Sequence, residues 1–215
     1  MQGKSEWRLL HPSNLRVGDE IKLRKLPQSD ISNQRFKVTL IEDYEYNNQS
    51  LREFTLMSHN NEQYFFNIEH DQDHGEYLAF SKAILDKRLS ETVDDQSLER
   101  LIHNAEVIEK IQIKTKPSNF GKWLTNEYQH YQDYQCQAKQ LISRKSHIKN
   151  MENNQFVSKY FESIDEENYA LDFEIKGKKK WTFKTSLHLF QFCITMEPPS
   201  MSKKSKSILT ITNRI

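Results

Sequence analysis

The densest set of metal-type donors in the chain is Glu69-His70-Asp71-Gln72-Asp73-His74. Imidazoles and carboxylates suit zinc and similar ions, and histidines at i and i+4 converge when the segment is helical. Here the segment lies between two strand patterns, with no second ligand pair at a recognisable spacing. It reads as a solvated acidic hairpin loop, and no metal is expected. The other six histidines, at 11, 59, 103, 130, 147 and 188, are isolated in sequence. Nucleophilic chemistry has two candidate thiols, Cys136 and Cys193. Cys136 has no neighbour that would activate it, and Cys193 lies within Phe190-Gln191-Phe192-Cys193-Ile194 as a small core residue. No Gly-x-Ser-x-Gly elbow occurs, and five glycines in the whole chain leave no glycine-rich phosphate loop. The residues therefore nominate no catalytic group and no cofactor, and point to a non-enzymatic role.

Phosphate-binding chemistry has a different set of candidates. Lys176, Lys178, Lys179 and Lys180 precede Trp181, and Lys203, Lys204 and Lys206 lie near the end of the chain. Lysines neutralise phosphates, and an exposed aromatic stacks on bases. A lysine-rich hairpin tip also guards a strand against edge-to-edge pairing. Over the whole chain 31 Lys+Arg oppose 30 Asp+Glu, a formal net charge of +1, which is no general footprint for a polyanion.

The composition fixes the class of molecule. At 215 residues with 36% hydrophobic residues, the chain is long enough to bury a core without a disulfide or metal staple. The first twenty residues carry Glu6, Arg8, His11, Arg16, Asp19 and Glu20, so no apolar signal region is expected there. No stretch approaches the roughly 18 uncharged apolar residues of a membrane span. Two distant cysteines suit a reducing, cytoplasmic setting without a disulfide.

Residues 7 to about 85 carry the elements of an antiparallel β unit. Val17, Ile21 and Leu23 alternate after a turn at Gly18-Asp19; Phe36, Val38 and Leu40 alternate next. Phe54-Leu56 and Tyr64-Ile68 flank His59-Asn60-Asn61-Glu62, a hairpin signal because Asn tolerates positive φ. Thr92-Val93-Asp94-Asp95 resembles a capping box ahead of the stripe Leu98, Leu101, Ile102 and Ala105. A second helix is expected over about 119–148. There Phe120, Trp123, Leu124, Tyr128, Tyr131, Tyr134, Ala138, Leu141 and Ile142 fall within an arc of about 140° at 100° per residue. Its aromatic stripe either packs on a sheet of the same chain or presents Trp123, Tyr128, Tyr131 and Tyr134 to a partner, since Tyr and Trp also anchor interfaces. Beyond Gln155 the pattern turns β again, with Tyr169 to Ile175 and Trp181 to Ile194 separated by Gly177-Lys178-Lys179-Lys180.

The expected fold class is therefore α+β: an N-terminal small antiparallel β-barrel or sandwich, a helical connector and a C-terminal antiparallel sheet. The divisions fall at 1–90 for the β-rich domain, 91–150 for the helical connector and 151–215 for a β-rich region packed on the connector helix.

From Trp7-Arg8-Leu9-Leu10 through Phe80 the order of features carries a resemblance. Leu15-x-Val17-Gly18-Asp19 is followed by Phe36-x-Val38, Tyr44 and Tyr46, then Glu53-Phe54-Thr55-Leu56 and the aromatic strand Tyr64 to Ile68. This order resembles an uncharacterised bacterial β-domain family encoded beside phage-shock-protein-A-like and spermidine-synthase-like genes. The resemblance covers about a third of the chain and implies an accessory role in a membrane-maintenance or polyamine-linked operon. It transfers no functional residue.

Two functions are expected on these grounds. The first is a cytoplasmic accessory protein that works through a protein partner or self-association, without membrane insertion. The second is a nucleic-acid-binding β-domain protein using the lysine-rich hairpin and tail.

Overall fold

The computed structural model describes residues 11–26, 30–46, 49–71, 75–84, 86–103, 108–143, 148–166, 168–176, 180–189, 192–197 and 208–213. Strands β1 (Glu20–Arg24), β2 (Arg35–Tyr46), β3 (Gln49–Ser58), β4 (Gln63–Asp71) and β5 (Gly75–Ile84) come first. Helices α1 (Asp86–Thr92) and α2 (Asp95–His103) and the short strand β6 (Lys110–Gln112) follow. A 3₁₀ segment, Ser118–Trp123, leads into β7 (Glu127–Ser143) and β8 (Ile148–Ser163). The remaining strands are β9 (Tyr169–Lys176), β10 (Lys180–Leu189), β11 (Phe192–Glu197) and β12 (Ile208–Asn213).

The twelve strands of the described residues lie in one sheet, ordered β11-β12-β1-β2-β3-β4-β5-β10-β9-β8-β7-β6, with a further pairing between β2 and β7. That last pairing closes eight strands into a ring: β2, β3, β4, β5, β10, β9, β8, β7 and back to β2. Every pairing around the ring is antiparallel. Strand β2 takes two partners along one edge. Arg35 to Lys37 pair with β1, and Leu40 to Tyr46 pair with β7. The β2–β3 ladder shifts register between Val38 and Leu40, where the change of partner falls.

The two faces of the ring's strands differ in character. Phe54, Leu56, Tyr64, Phe66, Leu78, Phe80, Phe161, Leu171 and Phe173 belong to one large apolar cluster and are buried almost completely. Phe66 stacks on both Phe54 and Phe80, with centroids 5.6 and 4.9 Å apart. Each such ring stabilises the fold by roughly 2–3 kcal/mol through burial. Leu89 of α1, Leu101 of α2, and Phe120, Trp123 and Leu124 cover this face. A polar latch fixes the 3₁₀ segment in place. Trp123 Nε1 donates to both Asp30 oxygens at 3.0 Å, Lys82 Nζ reaches Asp30 Oδ2 and the Asn119 carbonyl at 3.0 Å, and Thr185 Oγ1 donates to the Trp123 carbonyl.

Several local expectations hold. Asn61 sits at φ 61° in the β3–β4 turn, a conformation that asparagine tolerates, and Gly18 sits at φ 98° in the turn before β1. The helix cap lies two residues beyond the one expected: Asp94 accepts from the Ser97 amide at 3.0 Å, while Thr92 ends α1 and donates to the Arg88 carbonyl.

The α+β reading with a helical connector is overturned: the fold is mostly β. The chain over 119–148 forms the 3₁₀ segment and strand β7, not a long helix. A β-bulge accounts for the misleading period. The β7–β8 register shifts between His130 and Gln132, so Tyr131 is the extra residue. Before it, Tyr128 joins the apolar cluster and His130 packs edge-on against Phe161 at 5.3 Å. After it, the even positions Tyr134 and Cys136 point to the opposite face. A single strand that changes face midway has no sustained period of two, and its aromatic residues fall by chance into a helical arc.

These placements predict opposite outcomes for two tyrosines of that arc. Tyr128 is 0% exposed and Tyr131 is 62% exposed. Tyr128→Ala should cost about 3–5 kcal/mol of stability, and Tyr131→Ala no more than about 0.5 kcal/mol, both read by urea unfolding. Equal losses would contradict the strand assignment.

Candidate functional site

The second face of the ring is polar, and it encloses a cavity of about 560 Å³. All eight ring strands contribute to its lining: Tyr44 from β2, Glu53 from β3, Glu69 from β4, Tyr77 and Ser81 from β5, and Lys184 from β10. Asp172 and Glu174 come from β9, Ser158, Tyr160 and Glu162 from β8, and Tyr131, Tyr134 and Cys136 from β7. A space bounded by every strand of a closed ring lies inside that ring. The strands place these groups by simple alternation, because residues two apart share a face.

One ammonium organises the inner wall. Lys184 Nζ lies 2.9 Å from Glu53 Oε2 and 2.8 Å from Glu174 Oε1, and all three side chains are more than nine-tenths buried. The ammonium also sits 4.4 Å from the Phe65 ring centroid. Tyr44 donates to Glu53 Oε1 at 2.7 Å. Burial alone would discharge Lys184, but the charges of Glu174 and Glu53 outweigh it and raise its pKa. Burial, reinforced by Glu53, likewise raises the Tyr44 hydroxyl well above its ordinary value.

Negative charge predominates around this cluster. Among the described residues five carboxylates line the cavity (Glu53, Glu69, Glu162, Asp172 and Glu174), and Lys184 is the one lysine or arginine in that lining. Glu69 accepts from Asn67 Nδ2 at 2.7 Å and from the Tyr77 hydroxyl. Asp172 accepts from Ser158 Oγ at 3.1 Å. Burial first, and then the charge of Glu174, push the Asp172 carboxyl up to about 7, with Lys184 acting in the opposite direction. Tyr160, opposite Asp172 in the ladder, is held well above its ordinary value by burial and then by Glu69 and Asp172. Toward Tyr131 the lining becomes aromatic: Tyr160 meets Tyr131 and Tyr134 edge-on, at 6.0 and 6.2 Å between centroids. Tyr44, Cys136, Ala138 and Phe156 form a small apolar cluster elsewhere in the lining region.

The structure distributes the residues singled out from sequence as follows. Trp123 and Tyr128 are buried in the apolar cluster, Tyr131 is exposed, and Tyr134 is partly buried in the cavity wall. Cys136 is a buried cysteine in that wall. Lys176 and Lys180 pair across the β9–β10 ladder, while residues 177–179 between them lie outside the described residues. Lys203, Lys204, Lys206 and His74 also lie outside them, and His70 is exposed beside the cavity. Among the described residues no group of three or more His, Cys, Asp or Glu is placed to hold a metal ion. No helix among them is long and apolar enough to cross a membrane.

Sequence reasoning missed Glu53, Asp172, Glu174 and Lys184 because polar residues alternating along a strand ordinarily face water, and it placed Glu69 in a solvated loop although Glu69 to Asp71 belong to β4 and Glu69 lines the cavity. One signal was present. The alternate polar positions of these strands also include Tyr44, Tyr77 and Tyr160, and rings are wasteful on a fully solvated face. Comparison with family models, with curated proteins and with solved structures finds no match to this chain.

Two measurements test these electrostatics. Lys184→Met should cost about 3–5 kcal/mol near pH 7, because it leaves Glu53 and Glu174 buried without their counter-charge. For Asp172, the folded state holds its proton up to about pH 7, whereas the unfolded chain releases it near pH 4. Ionisation of Asp172 therefore lowers stability as pH rises through this window. Asp172→Asn should stabilise the protein at pH 8 relative to wild type, with the difference vanishing by about pH 4. Unfolding curves across that range would show whether the two proteins converge.

Proposed function

We propose that this chain is a non-enzymatic accessory protein that binds a small polar molecule inside its strand ring. The observation that carries this reading is a cavity lined by all eight ring strands. Its volume falls within the roughly 300–1,000 Å³ typical of ligand sites. Its wall combines tyrosine rings with a few fixed polar groups, the pattern that supplies contact area and orientation together. A rigid, hydrogen-bonded ring holds those groups in place before any ligand arrives, which lowers the ordering cost of binding.

A second reading, association with a protein partner, is favoured by Tyr131. This ring is 62% exposed beside the cavity and packs edge-on against Tyr160. Nucleic acid gains no support from this site, since an acidic lining repels phosphate.

A ligand-observed NMR screen of a chemically mixed metabolite set tests the ligand-binding reading. Binders should appear with wild type and disappear with Ser158→Phe or Ser81→Phe, each of which fills the cavity, while the thermal transition confirms folding. Binders retained equally in both folded variants would overturn the proposal.

A further inference from the structure

Within the ligand-binding reading, on which this rests, we infer that the ring cavity takes an organic ammonium cation, its charged head seated between Asp172 and Glu69 against the tyrosine rings of β7 and β8. Three independent features converge on that class. The first is a charge imbalance among the described lining residues, five carboxylates to one lysine. Lys184 is already engaged by Glu53 and Glu174, so at Asp172 it only partly offsets the charges of Glu174 and Glu69. The second is the kind of partner those acids do have. Asp172 receives a hydroxyl hydrogen bond from Ser158, and Glu69 receives an amide and a phenol. Neutral donors orient a carboxylate without cancelling its charge. The third is the aromatic wall: Tyr131, Tyr134 and Tyr160 meet edge to face beside these acids. Ring faces attract ammonium groups, and more strongly where water is partly excluded.

The state of Asp172 fits this arrangement. Around it stand Glu174 on its own strand, Lys184 from β10, Glu69 from β4, Tyr77 from β5, and Ser158, Tyr160 and Glu162 from β8. Within this set its carboxyl holds a proton up to about pH 7. A bound cation favours the ionised form, so binding should expel that proton. A hard metal ion is a poor alternative, because no group of three donors converges among the described residues. Space lined by phenols and alkyl stems suits a diffuse cation carried on carbon better.

Calorimetry with isosteric probes tests the class. Choline and n-butylammonium supply the cations, 3,3-dimethylbutan-1-ol the neutral counterpart of choline, and 3,3-dimethylbutanoate the anion. At least one cation should bind, and neither the alcohol nor the carboxylate should bind comparably. Its affinity should rise from pH 6 to pH 8, and at pH 7 the heat should differ between buffers in the sense of proton release. Asp172→Asn and Glu69→Gln should each weaken it about tenfold, or 1.4 kcal/mol, and Asp172→Asn should abolish the proton release. Two variants are used so that a folding defect in one leaves the other informative. Comparable binding of the alcohol or the carboxylate would overturn the cation class. If neither cation binds while the metabolite screen still yields binders lost in Ser158→Phe, the cation class falls alone. If neither experiment yields a binder, both readings fall.

Discussion

The ladder between β2 and β7 is the constraint on which the rest of the molecule depends. Seven antiparallel pairings run from β2 round to β7, and the eighth, from Leu40↔Ser143 to Tyr46↔Cys136, joins the ends. Without it, β2 and β7 would present open edges, with backbone groups left to water or to another chain. With it, one face of eight strands becomes a lining. The closure is possible because β2 divides its edge, giving Arg35–Lys37 to β1 and the remainder to β7. Strands β1, β12 and β11 then continue the sheet outside the ring, with β1 and β12 running parallel.

Once the ring is closed, its interior obeys the rules of a partly desolvated space. A buried charge there must find a partner, and the partner can lie on a strand that is not adjacent. Lys184 on β10 meets Glu53 on β3 although β4 and β5 intervene in the sheet. That contact requires the sheet to curve around the cavity, so the ion cluster and the closure support one another. Breaking such a cluster is costly, yet an intact one adds little stability over apolar packing. Net stability comes chiefly from the opposite face, where Phe54, Phe66, Phe80, Leu171 and Phe173 are buried under the helices and the 3₁₀ segment.

This division explains what was legible in the sequence. The strands around Phe36-x-Val38, Phe54-x-Leu56, Tyr64 to Ile68 and Tyr169 to Ile175 announce themselves because one face of each is apolar. The hairpin at Asn60-Asn61 announces itself through its turn residues. The β7 segment misleads because the bulge at Tyr131 moves its even positions from the apolar face to the cavity. Bulge positions depend on the partner strand, here β8, and leave no local mark. The cavity is hidden for a related reason. Each strand contributes only a few groups, so no spacing within one strand brings Glu69, Asp172 and Lys184 together. Closure alone does that, and closure is set by a pairing between residues nearly a hundred positions apart.

The placement of polar groups also bears on why such an interior would persist. Apolar packing could fill a ring of this size, and replacing a buried ion cluster with well-packed hydrophobic side chains is commonly neutral or stabilising. Here the filling is incomplete. Open volume remains beside a carboxyl that is costly to ionise, while a second, ion-paired set of charges occupies the wall next to it. An interior optimised for stability alone would remove the Asp172 carboxyl, whose ionisation works against folding above the unfolded-state pKa. The proposed ligand-binding role accounts for its presence in the wall of a tyrosine-lined space.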